Sequence, residues 1–145
     1  MTKKVARFLA IDLGDRRTGL ALGDSLTNIV SPIGTIEATK GPALLAELKK
    51  TIDETGPDEI VIGLPLNMDG SEGAASKAVR EFAGEIGKLT NKPVHLHDER
   101  LTTFEADSRM AQLGRTHGEK KALRDALAAA AMLEDFLRVR AADQT

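Results

Sequence analysis

The stretch Val5-Ala6-Arg7-Phe8-Leu9-Ala10-Ile11-Asp12 is apolar except for Arg7 and the acid that closes it. A short run of this kind reads as a strand. Apolar side chains at odd and even positions alike predict that both faces are covered and that the strand lies in the middle of a sheet. Asp12-Leu13-Gly14-Asp15-Arg16-Arg17 reads as a tight turn, and Thr18–Gly23 resumes the apolar pattern, so the two runs predict a hairpin. Ile29–Glu37 supplies a third strand, with Pro32 at its margin. Beyond it the pattern changes. Gly41-Pro42 opens a helix to about Glu54, with Leu44, Leu45, Leu48 and Ile52 on one side and Gly56-Pro57 ending it. Glu59–Leu64 is a compact strand, Leu66–Gly73 a polar loop, and Ala74 to about Lys88 a helix. Val94–Asp98 is a further strand. Thr102 or Thr103 is placed to cap a helix, Gly114–Gly118 is a loop, and the last helix runs from about Glu119 to Arg140. A hairpin-led sheet followed by alternating helices and strands is an α/β architecture with a mixed sheet.

The 145 residues, 41% of them apolar, suit one domain. Its expected extent is residues 1–140, with 141–145 as a flexible tail. Acidic and basic residues number 22 and 20, a net charge of −2, which excludes a generally basic chromatin-like protein but allows a local basic patch. Cysteine is absent, which excludes disulfides, cysteine nucleophiles and thiolate zinc sites. Aromatic residues make up 3%, without Trp or Tyr, so base stacking is no general binding mode here. No apolar stretch is long enough for a membrane span and the first residues lack a leader-like apolar segment, so the cytoplasm is the expected compartment.

Three acids stand where a bland reading fails. Asp12 ends the strand expected at the centre of the sheet, and ligand sites in open α/β sheets gather beyond the carboxyl ends of such strands. Asp98-Glu99-Arg100 follows another strand. Adjacent strand residues face opposite ways, so at most one of Asp98 and Glu99 shares a face with Asp12 unless the strand has already ended, and Arg100 can neutralise an acid or hold a phosphate. On a helical wheel from Ala122, Asp125 falls within the apolar arc that holds Ala126, Ala129, Leu133, Phe136 and Leu137. Arg124, Asp135, Lys120 and Arg138 fall opposite and read as solvated. A lone carboxylate on a packed face is costly. Together the three acids have a use: hard oxygen ligands for magnesium or manganese. Two such ions about 4 Å apart activate water and stabilise the leaving oxygen of a phosphodiester. Gly14 and Gly19 would let a phosphate backbone approach the first hairpin. Arg16 and Arg17 stand close to Asp12 for holding it, and Lys121 borders the Asp125 side of the last helix. His95 and His97 alternate on one strand face but lack a nearby third nitrogen, so they read as structural or surface residues. Gly63-Leu64-Pro65 lacks the lysine of a Walker loop.

Four segments in order carry a family resemblance over nearly the whole length. They are Ala10-Ile11-Asp12-Leu13-Gly14-Asp15-Arg16-Arg17-Thr18-Gly19-Leu20-Ala21, Gly63-Leu64-Pro65-Leu66-Asn67-Met68-Asp69-Gly70 with Ser71, Asp98-Glu99-Arg100-Leu101-Thr102-Thr103, and Lys120-Lys121 with Asp125, Ala128 and Ala129. The chain resembles the YqgF/RuvX family of Holliday-junction-resolvase-like proteins, for which cleavage of precursor 16S ribosomal RNA has also been put forward. Ala10 departs from the glycine common in that family, one small residue for another. The resemblance implies an RNase H-like fold: a mixed five-stranded sheet flanked by helices, strands 1–3 antiparallel, strands 4 and 5 parallel to strand 1. It implies that Asp12, Glu99 and Asp125 match the catalytic, metal-binding acids, with Asp98 as substitute or helper. Arg16, Arg17, Asn67, Arg100 and Lys121 become candidate substrate contacts, and Gly14, Gly19, Gly63 and Gly70 points of backbone approach. The implied activity is metal-dependent phosphodiester hydrolysis with two Mg2+ or Mn2+ ions when substrate is bound. The implied partner is structured RNA (pre-16S rRNA) in 5′-end maturation, or branched DNA, handled by a monomer or homodimer. The rival of a different class is a binding module that keeps the fold without cutting.

Overall fold

A computed structural model describes residues 5–100 and 117–142, with side chains for 5–100 and 123–142. The elements are β1 (Arg7–Leu13), β2 (Arg17–Asp24), β3 (Val30–Glu37), α1 (Pro42–Thr55), β4 (Glu59–Leu64), α2 (Ala74–Thr90), β5 (Val94–Asp98) and α3 (His117–Ala142). The five strands form one sheet in the order β3-β2-β1-β4-β5. β1 is central, antiparallel to β2 and parallel to β4. β2 and β3 are antiparallel, and β4 and β5 are parallel. The mixed sheet and its strand directions are those the sequence predicts. The expected cap at Thr102 or Thr103 and nearly all of the expected Gly114–Gly118 loop lie outside the described residues. α3 takes in Ala141 and Ala142, which the sequence reading assigned to the tail; residues 143–145 lie outside the described residues.

Local signals set the element ends. Pro42 starts α1, where its missing N–H leaves no helical bond unmade. Gly56 stops it in the left-handed conformation and donates its N–H to the Ile52 carbonyl at 2.9 Å. Asn91 does the same for α2, bonding the Gly87 carbonyl at 2.8 Å. Between β2 and β3 the Asp24 carboxylate accepts the N–H groups of Leu26 and Thr27 at 2.9 and 2.7 Å. Pro32 is tolerated because β3 is an edge strand, and the ladder slips between Leu20 and Ala21 beside it.

Alternation along β1 divides the core into two layers. Leu9 and Ile11 point to one face, joined by Leu20, Ile60 and Ile62 and covered by Leu44, Leu48 and Ile52 of α1 and Val79, Phe82 and Ile86 of α2. Phe8 and Ala10 point to the other, joined by Ala21 and Val61 and covered by Ala129, Ala130, Met132, Leu133 and Leu137 of α3. Small residues dominate that second contact: Ala10 lies across from Ala21, and α3 meets them with alanines. A helix presenting alanines to alanines packs close, which brings α3's main chain down onto the sheet.

Among the described residues, one polar atom in this core is left without a bond. Thr18 is 0% exposed, and its Oγ1 has no hydrogen-bond partner. A buried hydroxyl left unpaired costs about 1–3 kcal/mol. Thr18→Val keeps the branched shape and the strand preference while removing the orphan. We expect it to raise the melting temperature by about 2–4 °C. A lower melting temperature in a thermal scan would show that the hydroxyl is satisfied in solution.

Candidate active site

The alternation that points Phe8 and Ala10 at α3 carries Asp12 onto the same face, at the carboxyl end of β1. Asp12 pairs across the ladder with Gly19. A side chain at Gly19 would run into the main-chain carbonyl of Asp125, so α3 rests directly on β2 there, and the helical turn carrying Asp125 is fixed beside Asp12. Gly63 makes the equivalent room for the third acid. A Cβ there would collide with the Glu99 carboxylate and lie 2.8 Å from Met132 Sδ. Glu99 therefore lies over Gly63, on the α3 face.

The register of β4 with β5 decides between the adjacent acids. Val61 pairs with His95 and Gly63 with His97, so 95, 97 and 99 follow one another on the α3 face and Asp98 points away. Asp98 is engaged elsewhere. Arg100 donates to it from Nε at 2.9 Å and from Nη2 at 2.6 Å, and from Nη1 to the Met68 carbonyl at 3.2 Å. Arg100 thus ties the end of β5 to the loop after β4. The Asn67 amide, one of the candidate substrate contacts, donates to Ser71 Oγ at 3.0 Å within that same loop. Gly70 sits in the loop at φ 87, a conformation that favours glycine.

Electrostatics follow from the crowding. Burial pushes the Asp12 carboxyl up; the hydrogen bond from Glu99 draws it down and the Asp125 charge pushes it up again. Burial, then the Asp12 charge, the hydrogen bond to Asp12 and the Asp98 charge push Glu99 up to about 8, against the pull of Lys40. At neutral pH, Glu99 is the protonated partner and donates to Asp12. Asp125 lies within reach of Asp12's field, and its Oδ2 accepts from Arg17 Nε at 2.6 Å. Arg17, Gly14, Asp15, the exposed Arg16 and Asp125 line a cavity of about 300 Å³ beside the acids. Lys121 is on α3, but its side chain lies outside the described residues.

Three placements differ from the sequence reading, and one residue was missed. Gly19 and Gly63, expected as points of backbone approach, are covered by the main chain of Asp125 and by Glu99 and Met132. Asp135 is half-buried, not solvated: its carboxylate meets His97 Nε2 of β5 at 2.6 Å. His95 meets Glu59 at 2.6 Å, and its ring lies tilted beside that of Phe136, centroids 5.2 Å apart. Lys40, in the connection before α1, reaches Glu99 with its charge; a solitary loop lysine far away in sequence gives no signal for that.

The donor set is of the type that hard divalent cations take: carboxylate oxygens forced together, sharing a proton for want of a closer positive charge. Among the described residues, no group of three or more His, Asp or Glu side chains is arranged to hold an ion. The acids fit the chemistry, with Asp12 and Glu99 in contact and Asp125 turned to Arg17.

The raised Glu99 has a measurable consequence. Between the ordinary carboxyl range near 4.5 and about 8, the folded chain holds a proton that the unfolded chain has lost, so stability falls as pH rises through that window. Glu99→Gln replaces the proton with an amide that still donates to Asp12. With a chelator present, we expect the variant to gain about 2 kcal/mol at pH 8, allowing for solvent screening, or about 5 °C in melting temperature. The gain should shrink towards pH 5. A gain independent of pH would mean that Glu99 is ionised throughout.

A mixed sheet in this order, with an acid at the carboxyl end of its central strand and helices on both faces, is an RNase H-like nuclease architecture. Thermus thermophilus RuvC in complex with Holliday junction substrate has the same fold, at a TM-score of 0.58 and 15% identity over 94% of this chain and 96% of that one. So does the fowlpox virus resolvase bound to Holliday junction DNA, at 0.60 and 10% over 92% and 98%. The RuvX family, described as Holliday junction resolvase, matches residues 6–139, and the chain belongs to this family. A relative from Anaeromyxobacter sp., named "Putative pre-16S rRNA nuclease", is 44% identical over 131 residues, 90% of this chain and 96% of the relative. One of the same name from Pseudomonas putida is 42% identical over 131 residues, 90% of this chain and 93% of the relative. Membership supports hydrolase activity and implies catalysis that depends on metal ions.

Proposed function

We propose that this chain is a divalent-metal-dependent nuclease that hydrolyses phosphodiester bonds in 5′-end maturation of precursor 16S ribosomal RNA in the cytoplasm. The observation that supports this most is the meeting of Asp12 and Glu99 in one hydrogen bond, with Asp125 packed beside them across the Gly19 contact. These residues come from a strand end, a second strand end and a facing helix, and burying their charge together has no structural reward. Asp12, Glu99 and Asp125 would hold magnesium or manganese, two ions when substrate is bound. Such ions supply a nucleophilic water at neutral pH and neutralise charge on the phosphate and leaving oxygen. The chain's own residues do the rest. Arg16 and Arg17 at the rim, with Lys121 on α3, orient the phosphate backbone. Gly19, covered by the main chain of α3, keeps Asp125 beside Asp12, and Gly14 closes the hairpin turn against the Arg17 carbonyl. Arg100 fixes the loop after β4 against β5, which holds Glu99 at the cleavage point.

A second reading is resolution of four-way DNA junctions, favoured by the description of the family. Symmetric cleavage of such a junction would require a homodimer, whereas RNA trimming works with a monomer. The deciding experiment incubates the purified chain with magnesium or manganese and precursor 16S RNA, single-stranded RNA or a four-way DNA junction. We expect cleavage of the RNA precursor. Preferential symmetric cutting of the junction would favour the second reading. Binding without cutting across the panel would leave a non-catalytic module.

A further inference from the structure

We propose that Arg17 is a built-in counter-cation for Asp125, displaced when a divalent ion enters, and that the released guanidinium then takes a substrate phosphate. This rests on the metal-dependent reading above and adds a coupling between ion and substrate.

The geometry leaves a single way for the pair to exchange. Arg17 Nε donates to Asp125 Oδ2 at 2.6 Å, across 108 positions of sequence. The backbone on both sides is fixed. Asp125's turn rests main chain to main chain on Gly19, and the Arg17 carbonyl accepts the Gly14 N–H at 2.9 Å. Neither partner can retreat by moving its backbone, so separation comes from side-chain rotation. The side chains are 35% and 24% exposed, and a pair this accessible is weakly held. A divalent ion shared with Asp12 and Glu99 offers Asp125 a stronger partner and repels the guanidinium at short range. The cavity beside the pair, lined by Gly14, Asp15, Arg16, Arg17 and Asp125, gives the guanidinium somewhere to go, on the side where Arg16 also stands. Its planar fork matches two phosphate oxygens there. In the ion-free chain Arg17 neutralises Asp125; in the loaded chain it is available to the substrate.

Two binding measurements test this without turnover. The first is calorimetric titration of manganese into the wild type, Arg17→Gln and Arg16→Gln. Arg16→Gln removes the same charge from the same turn without the Asp125 contact. We expect Arg17→Gln to bind manganese about three- to tenfold more tightly than the wild type, and Arg16→Gln to change affinity much less. Arg17→Lys, which keeps the charge without the fork, should fall between and covers the case of poor folding in the glutamine variant. The second is oligonucleotide binding by fluorescence anisotropy, with and without calcium, an oxygen-seeking ion used to hold turnover down. Calcium should tighten binding to the wild type, and this gain should be lost in Arg17→Gln, because coupling is reciprocal. Manganese affinity in Arg17→Gln no higher than in the wild type overturns the displacement. Equal gains in the Arg16 and Arg17 variants reduce it to general charge and overturn it as well. If the wild type binds no manganese at all, the metal-dependent reading fails first and this inference with it.

Discussion

Asp12→Asn is expected to lower cleavage at least about a thousandfold, the scale seen when a group at the reacting centre is removed, while the fold stays intact. The asparagine keeps the shape of the side chain at the end of β1 and can still accept from Glu99. It removes the carboxylate of the three-acid set that lies at the end of the central strand. Burial already pushes the Asp12 carboxyl up, and Asp125 adds to the push, so its charge is held at a cost in the ion-free chain. The variant should therefore melt no lower than the wild type without metal, and should lose the upward shift that manganese gives the wild type. Turnover on the best substrate of the panel and a melt with and without manganese check both halves. Near-normal turnover would remove Asp12 from the mechanism, whatever the melts gave.

Gly19→Ala is expected to be the most damaging small change in the fold. The added methyl would meet the carbonyl of Asp125, with the Ala126 nitrogen 3.0 Å away. These are main-chain atoms of a helix packed by Ala129, Met132 and Leu133, so no rotamer change relieves the clash. Either α3 lifts or β2 bends, at about 3 kcal/mol or more, near the top of the range for overpacking. The melting temperature should drop by roughly 10 °C. Activity should fall further than stability explains, because the same displacement carries Asp125 away from Asp12. Gly84→Ala is the matched control: its Cβ meets open space within α2, and alanine there should stabilise by about 0.5–1 kcal/mol. Equal melting temperatures for the two variants would mean that α3 does not sit on Gly19.

The fold was largely legible because its signals are local. Apolar residues at every position of 8–11 mark β1 as central, Gly56 and Pro42 bound α1, and the wheel turns Asp125 towards the sheet. The choice between Asp98 and Glu99 was not legible, because it depends on the register of β4 with β5. With that register known, His95 and His97 become the pointer, since Glu99 continues their row. Arg17 reads as a phosphate contact from its nearness in sequence to Asp12, and Arg100 as neutralising an acid or holding a phosphate. The structure pairs them with Asp125 and with Asp98. The Asp125 partner stands 108 positions away, and no pattern in the chain announces a contact at that distance. Asp135 was misread for a related reason. A wheel gives the directions of side chains around one helix, not the reach of a histidine from a neighbouring strand, and His97 meets Asp135 at 2.6 Å.

The order of the acids along the chain sets when the centre comes into being. Asp12 emerges early in translation, Glu99 late, and Asp125 only with the closing helix, whose alanines must also cover Phe8 and Val61. A polypeptide stalled or clipped before residue 117 holds all five strands but lacks Asp125 and leaves Phe8 and Val61 without the helix that covers them. On the proposed mechanism, such a protein would be unable to cut ribosomal RNA while its own synthesis is still under way.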